Sequence, residues 1–227
     1  MKIIFVEKSA NPAKYVYPYS VYGQMEQGDN IDQILASGFL SSRIAPGRFY
    51  LARSLRIDLS KFNLNSENRR ILSKTEYMGL DMLDIDIKNY NYKIGKIAVD
   101  FYNQEGNTKK IFRPQTIKRL FKEQFFNKLF VYTEAGNVFG YCMTLQTDKS
   151  LHYAYPFYDL SYRERNAGMG MMLRSIMEAK ELGLKYVYLG TIYTKASLYK
   201  LQFEGLEYFD GNKWSTDLKL LKSKINE

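Results

Sequence analysis

The stretch Arg165–Gly170 reads RNAGMG and stands between a predicted strand, Leu151–Tyr158, and a predicted helix, Ala167–Leu182. Glycines at a helix start let backbone N–H groups approach an anion closely, where the aligned peptide dipoles already favour negative charge. A glycine-bearing helix start can also serve only to relieve packing. The stretch therefore predicts either a phosphate-binding loop or a close helix contact. The candidate phosphate-binding residues are Arg165, Gly168 and Gly170.

Regular elements continue on both sides of this stretch. Before it, Leu129–Thr133 and Val138–Leu145 predict a hairpin whose turn carries a glycine where a positive φ is needed. After it, Tyr186–Leu189 predicts a buried strand, Thr194–Phe203 a helix and Leu206–Trp214 a last hairpin. We expect the strand before the glycines and the strand after the long helix to lie side by side. The fold class predicted is α/β (α+β), a mixed sheet flanked by helices.

The first third of the chain is less regular. Its predicted elements are a strand at Ile3–Val6, a helix at Ile31–Ala36, a strand at Arg48–Ile57 and a helix at Asn68–Lys74 capped by Ser66. From Tyr77 onward the predicted elements are a strand at Met82–Ile87 and helices at Tyr92–Tyr102 and Pro114–Phe126. This change predicts a smaller N-terminal lobe over residues 1–76 and a second domain over residues 77–227.

Composition sets the class of protein. A chain of 227 residues with 45% apolar and 25% charged residues is typical of a globular protein of one large or two small domains. The single Cys142 excludes an internal disulfide and a cysteine-based metal site, so a metal would need His152 and carboxylates, and we expect none. No apolar run approaches the roughly 18 residues of a membrane span, and Ile3–Val6 is too short for a signal peptide. We expect a cytoplasmic protein without a membrane partner.

The net charge of +9 is concentrated in two segments. Arg43–Lys74 has eight basic and two acidic residues, and Lys109–Lys128 has seven basic residues and one acidic residue. Each segment therefore carries +6, interleaved with aromatic residues, which suits a phosphate backbone because each neutralised phosphate releases counterions. A solvated surface is the alternative. The candidate phosphate-backbone contacts in the second segment are Lys118, Arg119 and Lys122.

The order of elements around the glycines is the core order of the GNAT acyltransferase superfamily, and local motifs carry a narrower resemblance. FYDLSY at Phe157–Tyr162, YKLQF at Tyr199–Phe203 and LEYFDGNKW at Leu206–Trp214 resemble the C-terminal half of the arginyl-tRNA-protein transferases and their leucyl-transferring bacterial relatives. In the N-terminal half, LRI at Leu55–Ile57 and SENRRIL at Ser66–Leu72 are similar to the same family. The resemblance implies a GNAT-like fold.

Two positions depart from the family pattern. Members usually hold a cysteine cluster just before the segment matching Leu55–Ile57, and this chain has no cysteine there. Gly170 stands where the family typically has a larger residue, as in acyl-CoA-binding GNAT enzymes. An acyl-CoA-dependent N-acetyltransferase that uses acetyl-CoA is therefore one alternative, and a non-catalytic tRNA-binding module is another.

The resemblance implies transfer of arginine or leucine from a charged tRNA to the N-terminal α-amine of a protein that begins with an acidic residue. The implied partners are tRNA and the acceptor protein or peptide, with aminoacyl-tRNA as co-substrate and no cofactor. An activated ester is exchanged for an amide, so the enzyme must mainly position the two substrates. The attacking amine has a pKa of about 7.7 to 8.0 and loses its proton easily.

Asp159 is the first candidate for orienting that amine, with Tyr158 beside it; the alternative role of Asp159 is to cap the following turn. Tyr158, Tyr188 and Tyr193 suit stacking on the terminal adenosine, or they only pack. The resemblance adds Tyr199 as a substrate-binding candidate. Candidates for recognising an acidic side chain are Arg69, Arg70 and Lys200, of which the two arginines can instead face tRNA.

Overall fold

The computed structural model describes residues 1–8, 18–42, 45–104 and 113–226. Among the basic residues of the two positively charged segments, Arg43, Lys109 and Lys110 lie outside the described residues. The chain forms two compact units that interleave along the sequence. Unit 1 comprises Met1–Arg56, Leu189–Leu201 and Leu206–Glu227, and unit 2 comprises Ile57–Tyr188 and Gln202–Gly205. The lobe boundary at residue 76 stays a prediction.

Unit 1 contains an antiparallel sheet of four strands in the order β1-β2-β4-β3 and a second run of strands in the order β12-β11-β5. Asn30 caps its first helix, because the Asn30 Oδ1 accepts the N–H of Gln33 at 3.1 Å. The elements are β1 (Lys2–Glu7), β2 (Tyr19–Gln24), α1 (Ile31–Ala36), β3 (Phe39–Ser41), β4 (Arg48–Leu51), β5 (Ser54–Asp58), whose last two residues fall in unit 2, β11 (Leu206–Phe209), β12 (Trp214–Ser215) and α6 (Leu218–Asn226).

The prediction of one strand over Arg48–Ile57 is wrong. The chain leaves β4 at Leu51 and begins β5 at Ser54, so that the two strands belong to different sheets. Between them, the Arg53 N–H donates to the Tyr193 hydroxyl at 2.8 Å, and the Arg53 carbonyl accepts from the Ile192 N–H at 3.0 Å. These two bonds satisfy the backbone groups of Arg53 in place of a neighbouring strand, so the chain can pass from one sheet to the other at this residue.

Unit 2 carries strands in the order β10-β9-β8-β7-β6, with α3 and α5 packed on β9. β9 and β10 pair in parallel, with Val187 opposite Leu151, and the other neighbours are antiparallel. The elements are α2 (Ser66–Lys74), β6 (Gly79–Asp84), α3 (Tyr92–Tyr102), α4 (Pro114–Glu123), β7 (Lys128–Glu134), β8 (Asn137–Gln146), β9 (Ser150–Tyr158), α5 (Ala167–Glu181) and β10 (Tyr186–Thr191), whose last three residues fall in unit 1. The predicted mixed α/β fold and the side-by-side strands are confirmed.

Several boundaries differ from the predicted ones. β6 lies three residues earlier than predicted, because its register with β7 runs from Gly79 to Asp84. α4 ends at Glu123, where Gln124 adopts a left-handed conformation with φ of 51°. The cap of α2 is Asn65 and not Ser66, because the Asn65 Oδ1 accepts the N–H of Asn68 at 2.9 Å. The predicted helix Thr194–Phe203 is a 3₁₀ helix over Lys195–Gln202.

Candidate functional site

The start of α5 is held by a charged and aromatic cluster. Arg165 Nη1 donates to Glu134 Oε2 at 2.8 Å, and the Tyr162 hydroxyl donates to the same oxygen at 2.8 Å. The Arg165 guanidinium lies 4.0 Å from the ring centroid of Tyr77 and 4.9 Å from that of Tyr162. Arg165 and Tyr162 together lower the pKa of Glu134 to about 2. Glu134 takes one N–H of each Nη group of Arg165, so a phosphate has the remaining N–H donors of this partly exposed guanidinium or must displace the carboxylate.

The two glycines at the start of α5 have different surroundings. A Cβ at Gly170 would lie 2.7 Å from Thr75 Cγ2, which is overlap, whereas a Cβ at Gly168 would lie 3.4 Å from the Tyr158 hydroxyl, an ordinary contact. Arg174 Nη2 also donates to the Thr75 carbonyl at 2.7 Å, so α5 meets the end of α2 closely at this point. The surroundings of Gly170 favour a packing role, and its contact with phosphate stays a prediction.

The difference between the glycines predicts a difference in stability. Gly170→Ala should destabilise the protein by about 1 to 3 kcal/mol, because the new methyl group overlaps a packed side chain. Gly168→Ala is the matched control, and its effect should stay within about 0.5 kcal/mol. Urea unfolding measures both. Thr75→Gly should offset part of the loss in a double-mutant cycle, and equal stability of the two alanine variants would contradict the packing role of Gly170.

Asp159 occupies the end of β9 and caps the 3₁₀ helix Leu160–Arg165. Its Oδ1 accepts the Ser161 N–H at 3.0 Å and the Ser161 hydroxyl at 2.8 Å. These bonds lower the pKa of Asp159, with the backbone N–H of Ser161 as the largest cause. The side chain is exposed. Asp159 is therefore an ionised carboxylate at a fixed position.

The tyrosines of unit 2 differ in exposure. Tyr158 is half-buried, with its ring centroid 4.8 Å from that of Phe101, and burial raises the pKa of its phenol. Its hydroxyl is therefore protonated at neutral pH and can donate a hydrogen bond. Tyr188 in β10 is 1% exposed, which favours the packing alternative. Its contact with the terminal adenosine stays a prediction.

The charged helices of unit 2 present their cations to solvent. Arg70 Nε on α2 donates to Glu67 Oε2 at 2.7 Å, and Arg69 on the same helix bonds the Leu64 carbonyl. On α4 the buried side is formed by Ile117, Leu120 and Phe121. Its exposed cations are Lys118, Arg119 and Lys122. Arg119 faces Glu123 at 3.6 Å.

Unit 1 holds a partly buried lysine, Lys200, on the 3₁₀ helix Lys195–Gln202. Lys200 Nζ donates to the carbonyls of Leu189 at 2.9 Å and Thr191 at 3.1 Å. Gly190 lies between them with φ of 82°, a left-handed conformation that brings the two carbonyls to one side chain. Burial lowers the pKa of Lys200 to about 8. An ammonium has three donors, so this geometry leaves one N–H for a ligand.

Arg53 in unit 1 was missed by the sequence analysis. Its guanidinium lies 5.5 Å from the ring centroid of Tyr193, which is 53% exposed. Within the residues that the structure describes, no carboxylate lies within ion-pair distance of Arg53. Arg53 and Lys200 both contact the segment Leu189–Tyr193. Unit 1 therefore holds two cations and an exposed aromatic ring around one short segment, beside which Tyr199 is also exposed.

Two of the sequence motifs meet in unit 1. Arg56 Nε donates to Glu207 Oε2 at 2.7 Å, and the Arg56 guanidinium lies 4.1 Å from the ring centroid of Trp214. Trp214 Nε1 donates in turn to the Ala36 carbonyl at 2.7 Å. The LRI motif and the closing LEYFDGNKW motif thus form one contact, which orients the hairpin of β11 and β12.

Comparison with known proteins agrees with these motifs. Residues 97–210 match the family model described as arginine-tRNA-protein transferase, C terminus. The chain belongs to this arginine-tRNA-protein transferase family. Among its relatives are the aspartate/glutamate leucyltransferases of Dinoroseobacter shibae, 25% identical over 71% of this chain and 61% of the relative, and of Ruegeria pomeroyi, 24% identical over 71% and 60%. The chain thus spans about three-fifths of the length of these two transferases.

Among solved structures, this chain is similar to FemX, with a TM-score of 0.47 and 10% identity over 86% of this chain and 63% of FemX. Within residues 1–8, 18–42, 45–104 and 113–226, no helix is long and apolar enough to span a bilayer. The same residues contain no group of three or more His, Cys, Asp or Glu side chains placed to hold a metal ion.

Proposed function

We propose that this chain transfers an amino acid, leucine or arginine, from its charged tRNA to the α-amine of a protein that begins with Asp or Glu. The match of residues 97–210 to the transferase family carries the proposal, and the names of the relatives support acidic acceptors. Aminoacyl-tRNA supplies an activated ester, so no further cofactor is needed. The tRNA substrate also favours the expected cytoplasmic location.

In the proposed reaction, the acceptor nitrogen attacks the ester carbonyl carbon of the aminoacyl-tRNA. An amide bond forms, the ester bond to the terminal ribose breaks, and the ribose hydroxyl leaves with the tRNA. The ammonium form of the acceptor gives one proton to solvent before the attack, and a second N–H proton ends on the ribose oxygen, which leaves as the hydroxyl. Asp159 orients the amine through its ionised carboxylate, and the protonated Tyr158 hydroxyl stabilises charge on the carbonyl oxygen.

Unit 1 offers two candidate cations for recognition of an acidic side chain, Lys200 and Arg53. The remaining N–H of Lys200 and the guanidinium of Arg53 are donors that carboxylates prefer. Arg70 is already paired with Glu67 on an exposed helix, which supports the tRNA-facing alternative for Arg69 and Arg70. Tyr193 and Tyr199 line the acceptor site as exposed rings.

The exposed cations of α4 should contribute to tRNA binding. Reversing the charge of Lys118, Arg119 and Lys122 together should weaken tRNA binding and reduce the magnitude of the log-log salt slope by about 2 to 3, because each lost phosphate contact accounts for about 0.7 to 0.9. Filter binding at several salt concentrations measures the slope. The control is reversal of Lys219 and Lys222 on α6. Unchanged affinity and slope would place the α4 cations on a merely solvated surface.

The transferase proposal is tested by transfer of labelled amino acid to peptides that begin with Asp, Glu, Lys or Ala. Leucyl-tRNA and arginyl-tRNA are offered separately, beside acetyl-CoA as the competing donor. We expect labelling of the Asp and Glu peptides only, and only from an aminoacyl-tRNA. Labelling from acetyl-CoA alone would favour the acetyltransferase alternative, and tRNA binding without any transfer would favour the non-catalytic module.

A further inference from the structure

A concave surface lies where α3 and α4 begin. It encloses about 470 Å³ and is lined by Tyr90, Tyr92, Pro114, Gln115 and Lys118. We call it the tyrosine pocket. The Tyr92 side chain is 75% exposed, and it stands at the first residue of α3. The face of this ring is therefore open to solvent and can be covered by a second flat ring.

The walls of the tyrosine pocket are fixed by packing. The Tyr90 ring contacts the buried Phe121 edge to face, with 5.5 Å between centroids. A Cβ at Gly95 would lie 2.6 Å from the Tyr90 hydroxyl, so glycine at this position gives the hydroxyl its space. The Asn91 Oδ1 accepts the Ile94 N–H at 3.1 Å and so fixes the start of α3. The Tyr90 side of the pocket and the backbone at the start of α3 are therefore held in place by the protein itself.

The positive charge beside the tyrosine pocket favours a ligand that carries negative charge. α4 carries three cations and a single carboxylate, and that carboxylate, Glu123, faces Arg119. Lys118 belongs to both the pocket and the exposed face of α4. An aromatic ring beside a cation suits a nucleotide, because every base has a face that stacks and every nucleotide carries a phosphate. Gln115 adds an amide that can bond a base edge.

We propose that the tyrosine pocket binds an unpaired nucleotide of the tRNA, with the base stacked on Tyr92 and the adjacent phosphate at Lys118. This inference rests on the proposed function, which supplies the tRNA, and adds a second, non-ionic contact to the electrostatic surface of α4. Stacking and charge make different contributions that an experiment can separate. Loss of stacking lowers affinity without changing the salt slope, whereas loss of a phosphate contact reduces the slope.

The experiment titrates the full chain with uncharged tRNA at several salt concentrations. Tyr92→Ala should weaken binding about 5- to 150-fold with an unchanged salt slope, the range expected for one lost base stack. Tyr92→Trp should bind as tightly as the wild type, and its indole fluorescence should be quenched by tRNA. Lys118→Gln should reduce the slope by about 0.7 to 0.9. Tyr19→Ala, which removes a tyrosine that is 55% exposed on β2, is the matched control and should change neither quantity.

The outcomes separate this inference from the proposed function. If the wild-type protein binds tRNA and Tyr92→Ala binds equally tightly, the nucleotide pocket is wrong while the transferase proposal stands. If the wild-type protein binds no tRNA at any salt concentration, both fail. If Tyr92→Ala leaves tRNA affinity intact but raises the KM for the acceptor peptide, the pocket binds a peptide and the inference is overturned.

Discussion

Asp159→Asn is expected to lower the kcat of amino-acid transfer by a factor of about 10² to 10⁴, the range typical of a lost acid-base or orienting group. The asparagine oxygen can still accept the two bonds from Ser161, so the cap of the 3₁₀ helix and the melting temperature should be kept. The KM for the acceptor peptide should change little, because the carboxylate acts on the amine and not on the acidic side chain.

The pH profile refines this test. The bonds from Ser161 lower the pKa of Asp159, so its carboxylate stays ionised across the neutral range and contributes no rise in rate there. The rate should instead follow the acceptor amine and rise toward a pH of about 8 in both proteins. Ser161→Ala is the control, since it removes one hydrogen bond and leaves the charge. Wild-type kcat in Asp159→Asn would leave the residue with its capping role alone.

The sequence predicted the elements whose signals are local. The hairpin of β7 and β8 follows from its turn residues, where Ala135 and Gly136 both have positive φ. The parallel pairing of β9 and β10 follows from a strand, a long helix and a buried strand in that order. The division of Arg48–Ile57 into two strands was not predictable, because the groups that replace the ladder at Arg53 come from residues about 140 positions away.

In the candidate site too, features with a local sequence signal could be predicted and features that depend on distant residues could not. An aspartate at a strand end could be foreseen both as a cap and as a catalytic group, and the structure shows its capping bonds. The ion pair of Arg165 with Glu134 depends on where the end of β7 lies in the fold, and no sequence motif predicts that position. The partial burial of Lys200 could not be predicted from sequence either, because a lysine is ordinarily exposed and the carbonyls on either side of Gly190 that bind it meet it only in the folded chain.

Lys200→Met is expected to raise the KM for peptides beginning with Asp or Glu by about 10- to 150-fold, equivalent to about 1.5 to 3 kcal/mol for a lost charge-assisted hydrogen bond. The kcat at saturating peptide should change much less, because the lysine contacts the side chain and not the reacting amine. Methionine keeps the apolar length of the side chain. Lys195→Met, an exposed lysine on the same 3₁₀ helix, is the matched control.

The dependence on pH separates recognition by charge from a structural role of Lys200. Burial lowers its pKa to about 8, so the free enzyme loses the ammonium above that pH, and the KM for acidic peptides should rise toward tenfold per pH unit in the wild type only. The free energy of unfolding should increase over the same pH range in which peptide binding weakens. The unfolded lysine stays protonated up to a pH of about 10.4, so the unfolded state binds more protons between pH 8 and that value, and wild-type stability gains from this residue as pH rises. Lys200→Met should lack both effects.

One outcome would contradict the role of Lys200 in recognition. If Lys200→Met loses the pH dependence of stability but keeps the wild-type KM and its pH dependence, Lys200 only binds the carbonyls of Leu189 and Thr191. Arg53 would then be the remaining candidate for recognition of the acceptor.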